Sequence, residues 1–180
     1  PEKHPTKFFA VRYGNVSGSS GSVIPKFIEQ IKNKQKISIT DEHMTRFSIT
    51  MDEALDFVLE STKIGHGSEI FVPKLRAYDI MELKDAIVEL LGDPGFEIIG
   101  IRQGEKLHEI LINNDEIKNA WEYNNLYIIT DDQYKQKSFQ DLFPGIKKIQ
   151  NLDKYSSDVV QKLSKDELKK IITESKLISK

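Results

Sequence analysis

A short apolar run at residues 7–11 (KFFAV) is followed at once by Gly14, Gly18 and Gly21 interleaved with Ser17, Ser19, Ser20 and Ser22. Behind that loop, Val23, Ile24, Phe27, Ile28 and Ile31 recur at helical spacing. A buried strand, a tight loop of small residues and an amphipathic helix in immediate succession point to an α/β fold. Pro25 is tolerable in the helix's first turn, and Ser22 is placed to cap it. The loop's glycine spacing is not the GxGxxG of a dinucleotide fingerprint, and Asp41, the acid nearest the required distance, sits in a polar turn.

The pattern continues along the chain. Ile37, Ser38 and Ile39 read as a short strand. Thr50 and Glu53 match a capping box ahead of a helix carrying Ala54, Leu55, Val58 and Leu59 and ending before Gly65 and Gly67. Residues 70–72 read as a second buried strand closed by Pro73. Asp79 and Glu82 open a helix that stops at Gly92. A strand is predicted over 96–101, a short helix from Gly104 through Leu107, Ile110 and Leu111, and a late strand over 126–129. Beyond residue 130 lysines multiply and the apolar pattern thins. An extended arm is expected over 131–154, then a last helix behind a Ser164/Glu167 capping box.

Composition narrows the function. The 180 residues are 38% hydrophobic and 30% charged, with a formal net charge of -2. That balance suits a soluble, core-forming chain and leaves no large positive field for a nucleic acid. Without cysteine there is no disulfide, thiolate site or cysteine nucleophile, which fits a cytoplasmic protein. His4, His43, His66 and His108 are scattered, so no metal site is expected. The first residues do not read as a signal peptide, and no apolar run has the ~20 residues of a membrane helix.

Four segments carry a resemblance: RYGNV-x-GS-x-GSVIP from Arg12, ITD-x-x-MTRF-x-IT-x-DEA from Ile39, EIFVPK from Glu69 and IIGIR-x-GEKLHE from Ile98. In this order they resemble the C-terminal half of the inverting UDP-N-acetylglucosamine 4,6-dehydratases, extended short-chain dehydrogenase/reductases of flagellin-sugar and capsule (polysaccharide) biosynthesis. The stretch around Tyr155 and Ser164 resembles that family's tail. The likeness implies the last strands of a Rossmann-like sheet plus a UDP-sugar-binding lobe over 1–130, and a C-terminal arm and helix over 131–180. It implies NADP as cofactor, a UDP-sugar as ligand and a homo-oligomer, with C4 oxidation, loss of water from C6 and return of hydride to C6. It also implies that the catalytic groups lie upstream of Pro1. The glycine-rich NADP loop is missing here, and no tyrosine has a lysine four residues on. No catalytic residue is therefore assigned, and the chain alone is expected to be inactive. A UDP-sugar epimerase or decarboxylase, or a non-catalytic UDP-sugar-binding or assembly module, are the alternatives.

Candidate ligand contacts follow. Asn15 stands where a strand runs into a loop, with an amide that can donate and accept, or can close an Asx turn. Val16, Ser17, Gly18 and Ser19, continuing to Ser20, are small enough to let the backbone approach a nicotinamide or sugar. Arg46, between Met44 and Phe47, can pair with a diphosphate or form an ordinary salt bridge to Asp52 or Glu53. The resemblance makes Arg102 a diphosphate contact and Glu105 a ribose contact, the latter otherwise a first-turn helix charge. Met44 is included with Arg46 in the substrate set. Lys34, with Lys36 beside it, flanks a turn where the resemblance places further contacts, though such lysines are usually solvated. His108 and Glu109, adjacent on the expected helix, point apart and are given surface or capping roles. Trp121, Phe8 and Phe9 are assigned to the core.

Overall fold

A computed structural model describes residues 6–19, 21–130, 136–175 and 177–178, with only the backbone for 136–138. In chain order the elements begin with β1 (Ala10–Val11), α1 (Val23–Lys32), β2 (Ile37–Ile39), β3 (Thr45–Ser48) and α2 (Met51–Ile64). There follow β4 (Ile70–Pro73), β5 (Arg76–Asp79), α3 (Ile80–Leu91), β6 (Phe96–Ile98) and β7 (Ile110–Ile112). After a 3₁₀ turn (Glu116–Asn119) come β8 (Ala120–Tyr123), β9 (Leu126–Ile129), α4 (Gln136–Leu142), β10 (Lys147–Lys148), β11 (Tyr155–Ser156) and α5 (Lys165–Glu174). The fold is mixed α/β, and it divides into two compact units built from interleaved stretches.

The first unit takes Pro1–Tyr13, Asp52–Lys74 and Ile110–Ser156. Its five-stranded sheet runs β1-β4-β9-β8-β10, with β1 parallel to β4 and the remaining pairs antiparallel. Phe71, Val72 and Pro73 of β4 are all buried, as expected of a strand covered on both faces. Phe57, Phe71, Leu126, Ile128, Phe139, Phe143 and Ile146 form the core, with Phe9 edge-on to Phe71 at 5.5 Å. Phe8, assigned to the core from sequence, is instead 78% exposed. Strand alternation turns one neighbour of the Phe8/Phe9 pair away from the core. Trp121 packs beside Phe139 at 5.5 Å, as expected of a core-lining residue. Arg12 closes the unit with two bonds to the Glu116 carboxylate (2.8 and 2.9 Å) and one to the Leu111 carbonyl (2.7 Å).

The second unit takes Gly14–Met51, Leu75–Glu109 and Ser157–Lys180. It carries two two-stranded ladders, β2 parallel to β6 and β3 antiparallel to β5. Ile24 and Phe27 of α1, Leu83 and Ile87 of α3, and Leu168 and Ile172 of α5 share one core with Ile37, Ile39, Met44 and Tyr78. The apolar stripes legible in the sequence are these buried faces. The Ser164/Glu167 capping box is formed in both directions, with the Ser164 N–H donating to Glu167 Oε2 at 2.9 Å and the Ser164 hydroxyl accepting from the Glu167 N–H at 3.4 Å. Gly92 ends α3 at a φ of 99°, where a side chain would be strained.

Several expectations need correction. The strand predicted over 96–101 ends at Ile98, because Gly100 takes a φ of 82°. No helix opens at Gly104. His108 makes a parallel bridge to Thr45, whose N–H donates to the Leu107 carbonyl at 3.1 Å, and Ile110–Ile112 is a strand. The spacing of Leu107, Ile110 and Leu111 imitates a helical stripe, but Ile110 is 41% exposed. The expected arm over 131–154 contains helix α4 and strand β10, while its first five residues lie outside those described. Strands β3, β5 and β8 have no counterpart in the sequence reading.

Candidate functional site

The second unit contains a cleft of about 340 Å³. One wall is the loop entering α1. Gly14 lets that loop press against β3, since a Cβ on it would lie 2.5 Å from the Phe47 Cβ. Val16 then bridges Ile49, and the Ser17 N–H donates to the Ile49 carbonyl at 2.8 Å. The other wall is β3 beside β5, where Arg46 stands opposite Tyr78. The turn carrying Arg102, Gly104 and Glu105 completes the lining. Its Glu105 N–H donates to the Arg102 carbonyl at 3.0 Å, and Gly104 takes a φ of 83°.

Glu109 is the hub behind this lining. Its Oε1 accepts from Asn15 Nδ2 at 2.6 Å, and its Oε2 accepts from the Phe47 N–H at 2.9 Å. The Arg46 Nε lies 3.9 Å from Oε1. Burial pushes the Glu109 carboxyl above its ordinary value, against the lowering pull of the Phe47 N–H and of Arg46. Burial likewise raises the Tyr78 phenol strongly, and the Glu109 charge adds to it. The backbone of Glu109 is held as well: its N–H donates to the Ser157 hydroxyl at 2.9 Å, and its carbonyl accepts from the Ser157 N–H at 2.8 Å. The Ser157 hydroxyl donates to the Thr45 carbonyl at 3.1 Å and meets the Thr45 hydroxyl at 2.7 Å, while that hydroxyl meets His108 Nδ1 at 2.8 Å. Ser157 is fully buried and Thr45 nearly so, so the network is shielded from water.

Arg46 sits between two carboxylates. Its side chain is 12% exposed, with Nη2 3.7 Å from Glu105 Oε1 in addition to the approach of Nε to Glu109. Nη1 donates to the Thr45 carbonyl at 2.7 Å and the Leu107 carbonyl at 2.9 Å, and Nη2 to the Met44 sulfur at 2.8 Å. These partners differ from the Asp52 or Glu53 considered from sequence.

Of the residues singled out beforehand, Asn15, Val16, Ser17, Ser19, Met44, Arg46, Arg102 and Glu105 line this one cleft. Gly18 is not in the lining. Its Cα faces Leu177, whose Cδ1 would lie 2.9 Å from an added Cβ. Ser20 lies outside the described residues. Lys34 is exposed and away from the lining; it ends α1 in a left-handed turn at a φ of 56°, its N–H on the Ile31 carbonyl at 2.9 Å. Lys36 is exposed too. Glu109 and His108 are not helical neighbours with surface roles but parts of the hub. The signal was an acid and a histidine inside the apolar stretch from Leu107 to Ile112, read at period two rather than at helical spacing. Ser22 occupies the N-cap of α1 as expected, yet among the described residues its buried hydroxyl makes no cap bond and has no partner.

Comparison with known proteins adds four findings. A family model described as polysaccharide biosynthesis protein matches residues 1–131. The UDP-N-acetylglucosamine 4,6-dehydratase (inverting) of Campylobacter jejuni is 40% identical over 159 residues, covering 85% of this chain and 47% of that one. The UDP-glucose 4-epimerase of Rickettsia bellii is 36% identical over 168 residues, covering 93% of this chain and 49% of that one. The X-ray structure of Pen from Bacillus thuringiensis superposes with a TM-score of 0.83 at 36% identity, over 96% of this chain and 51% of that chain. The chain thus spans about half the length of the curated relatives it matches.

Proposed function

This chain belongs to the polysaccharide biosynthesis protein family, and from that premise we propose that it is the UDP-sugar-gripping portion of an NADP-dependent UDP-N-acetylhexosamine 4,6-dehydratase that inverts C5. The observation that carries the reading is convergence. Asn15 in one stretch of sequence, and Arg102 with Glu105 in a distant turn, line one cleft. A guanidinium suits phosphate oxygens, a carboxylate suits vicinal hydroxyls, and an amide suits either partner. Holding the nucleotide handle fixes the distant sugar carbons in place for reaction.

In this reading bound NADP would supply reversible hydride transfer. The part of this chain suited to its nicotinamide end is the loop of Val16, Ser17 and Ser19, whose small side chains leave room beside the cleft. The tyrosine–lysine pair that such chemistry uses is not in the chain's sequence, so the 180 residues alone are expected to give no turnover.

The similarity to a UDP-glucose 4-epimerase favours a second reading, in which the same grip serves epimerisation. Product mass separates the two, because dehydration removes a water and epimerisation conserves mass. Calorimetric titration with UDP tests the grip itself. Binding that Arg102→Ala and Glu105→Gln both weaken is the expected result. Affinity indifferent to both substitutions defeats the reading, as does turnover of UDP-N-acetylglucosamine by the isolated chain with NADP.

A further inference from the structure

The loop entering α1 has nothing of its own to bury. Between Val16 and Val23 it consists of Ser17, Gly18, Ser19, Ser20, Gly21 and Ser22, without one apolar side chain. Glycine loses more conformational freedom on ordering than any other residue, so such a stretch needs an anchor from outside. Among the described residues its hydrogen bonds to another element are at Ser17, whose N–H donates to the Ile49 carbonyl at 2.8 Å and whose hydroxyl meets the Ser48 hydroxyl at 3.2 Å. Farther on, the Ser19 N–H turns back to the Val16 carbonyl at 3.1 Å and the Ser22 N–H to the Ser19 carbonyl at 3.0 Å, both internal to the loop. The Ser22 side chain adds no cap bond.

Leu177 meets this need. A Cβ added to Gly18 would find three atoms of that one side chain nearest to it, Cδ1 at 2.9 Å and Cδ2 and Cγ at 3.5 Å. Gly18 is constrained twice, by this close approach and by its φ of 80°. Ser17, Ser19, Gly21 and Ser22 line the cleft and Leu177 does not, so it supports the loop from the side away from the cleft. Its own position is set by α5. That helix packs Leu168 and Ile172 into the core shared with α1 and α3, and Leu177 and Ile178 pack against the same core. Between them the Ser175 N–H closes the helix on the Ile171 carbonyl at 3.0 Å.

We infer that Leu177 is the positioning residue of the glycine–serine wall, and that the stretch carrying it straps this wall to α5. With Leu177 seated on Gly18 the wall of the cleft is fixed. With it withdrawn, the loop from Ser17 to Ser22 opens locally while the rest of the unit stays folded. The assignment is independent of which ligand the cleft takes.

The test is residue-resolved amide hydrogen exchange on the 180-residue chain without ligand. Leu177→Ala is expected to speed exchange at the Ser17 and Ser19 amides by about tenfold or more. The Gly95 amide, held by Asp93 Oδ1 at 2.7 Å in another turn of the same unit, is the control. It should stay within about twofold of the parent, since its local opening leaves Leu177 in place. Leu177→Met should bring Ser17 and Ser19 back to within about threefold of the parent, because it keeps the apolar volume. No acceleration at Ser19, equal acceleration at Ser19 and Gly95, or a parent Ser19 amide without protection each overturns the strap. A double-mutant cycle read by urea unfolding is the second arm. Gly18→Ala should cost less stability in the Leu177→Ala background than in the parent, because the collision is gone and only the strain of the positive φ remains. Additive losses overturn the contact on which the inference stands.

Discussion

The side-chain amide of Asn15 donates to the carboxylate of Glu109 at 2.6 Å. A carboxylate accepts and does not donate, so this bond fixes which end of the amide faces Glu109 and leaves the Asn15 oxygen free to accept. Glu109→Gln tests the arrangement. Glutamine has one accepting oxygen for the two donors, Asn15 Nδ2 and the Phe47 N–H, and its own NH₂ must meet one of them. A destabilisation of about 1–3 kcal/mol by chemical denaturation is expected. Unchanged stability would mean that the hub is dispensable.

Gly14 presents a steric prediction. A methyl group there would collide with the Phe47 Cβ, a backbone-anchored atom that cannot rotate away. Gly14→Ala should cost about 1–3 kcal/mol through forced separation of the loop from β3. The comparison is Gly21→Ala. Nothing lies within 4 Å of an added Cβ there, and only the φ of 78° resists, so the loss should be smaller. The two denaturation midpoints, measured side by side, decide the order.

Ser157 is the single hydroxyl that joins the Glu109 N–H to the Thr45 carbonyl. Ser157→Ala leaves both buried groups short of a partner. About 1–3 kcal/mol of stability should be lost, a shift visible in urea unfolding. An equal stability for the variant would show that the network carries no weight.

The cap of α5 makes a pH prediction. Glu167 is held down to about 2 from its ordinary 4.5, chiefly by the Ser164 N–H, then by Arg76 and the Ser164 hydroxyl. A depressed carboxyl stabilises the fold above its unfolded value and loses that contribution as pH falls towards its folded one. Stability should therefore decline between pH 4.5 and about 2, with a shallower decline in Ser164→Ala and Arg76→Met. At neutral pH Ser164→Ala should melt about 2–4 °C lower.

How much of this was legible in the sequence depended on whether the determinants were local. The cap and stripe of α5 were readable, because Ser164, Glu167, Leu168, Ile171 and Ile172 belong to one short stretch. The same holds for α3 and for the buried β4. Strands β3 and β5 were missed because each is a four-residue strand with charged members, Arg46 in one and Arg76 and Asp79 in the other, whose pairing only the folded chain reveals. The candidate residues Asn15, Arg102 and Glu105 were found through resemblance, and they do share a cleft. Glu109 was not found. Its meaning lies in Asn15, Arg46 and Phe47, all far away along the chain, and its misplaced helix hid the one local clue. Lys34 is singled out because the resemblance places contacts in its turn, but it is exposed, holds a φ of 56° and does not line the cleft.

The alternation of the polypeptide between its two units bears on how the molecule is made. The core of the second unit joins Ile24 and Phe27 with Leu168 and Ile172, residues separated by most of the chain's length. During synthesis α1 emerges long before α5, and its apolar stripe waits for α5 to complete its cover. Such a topology closes large loops before it is rewarded with burial, so folding is expected to be slow. A ribosome stalled before Leu168 leaves a sticky, half-clad helix exposed, a natural substrate for chaperones and proteases.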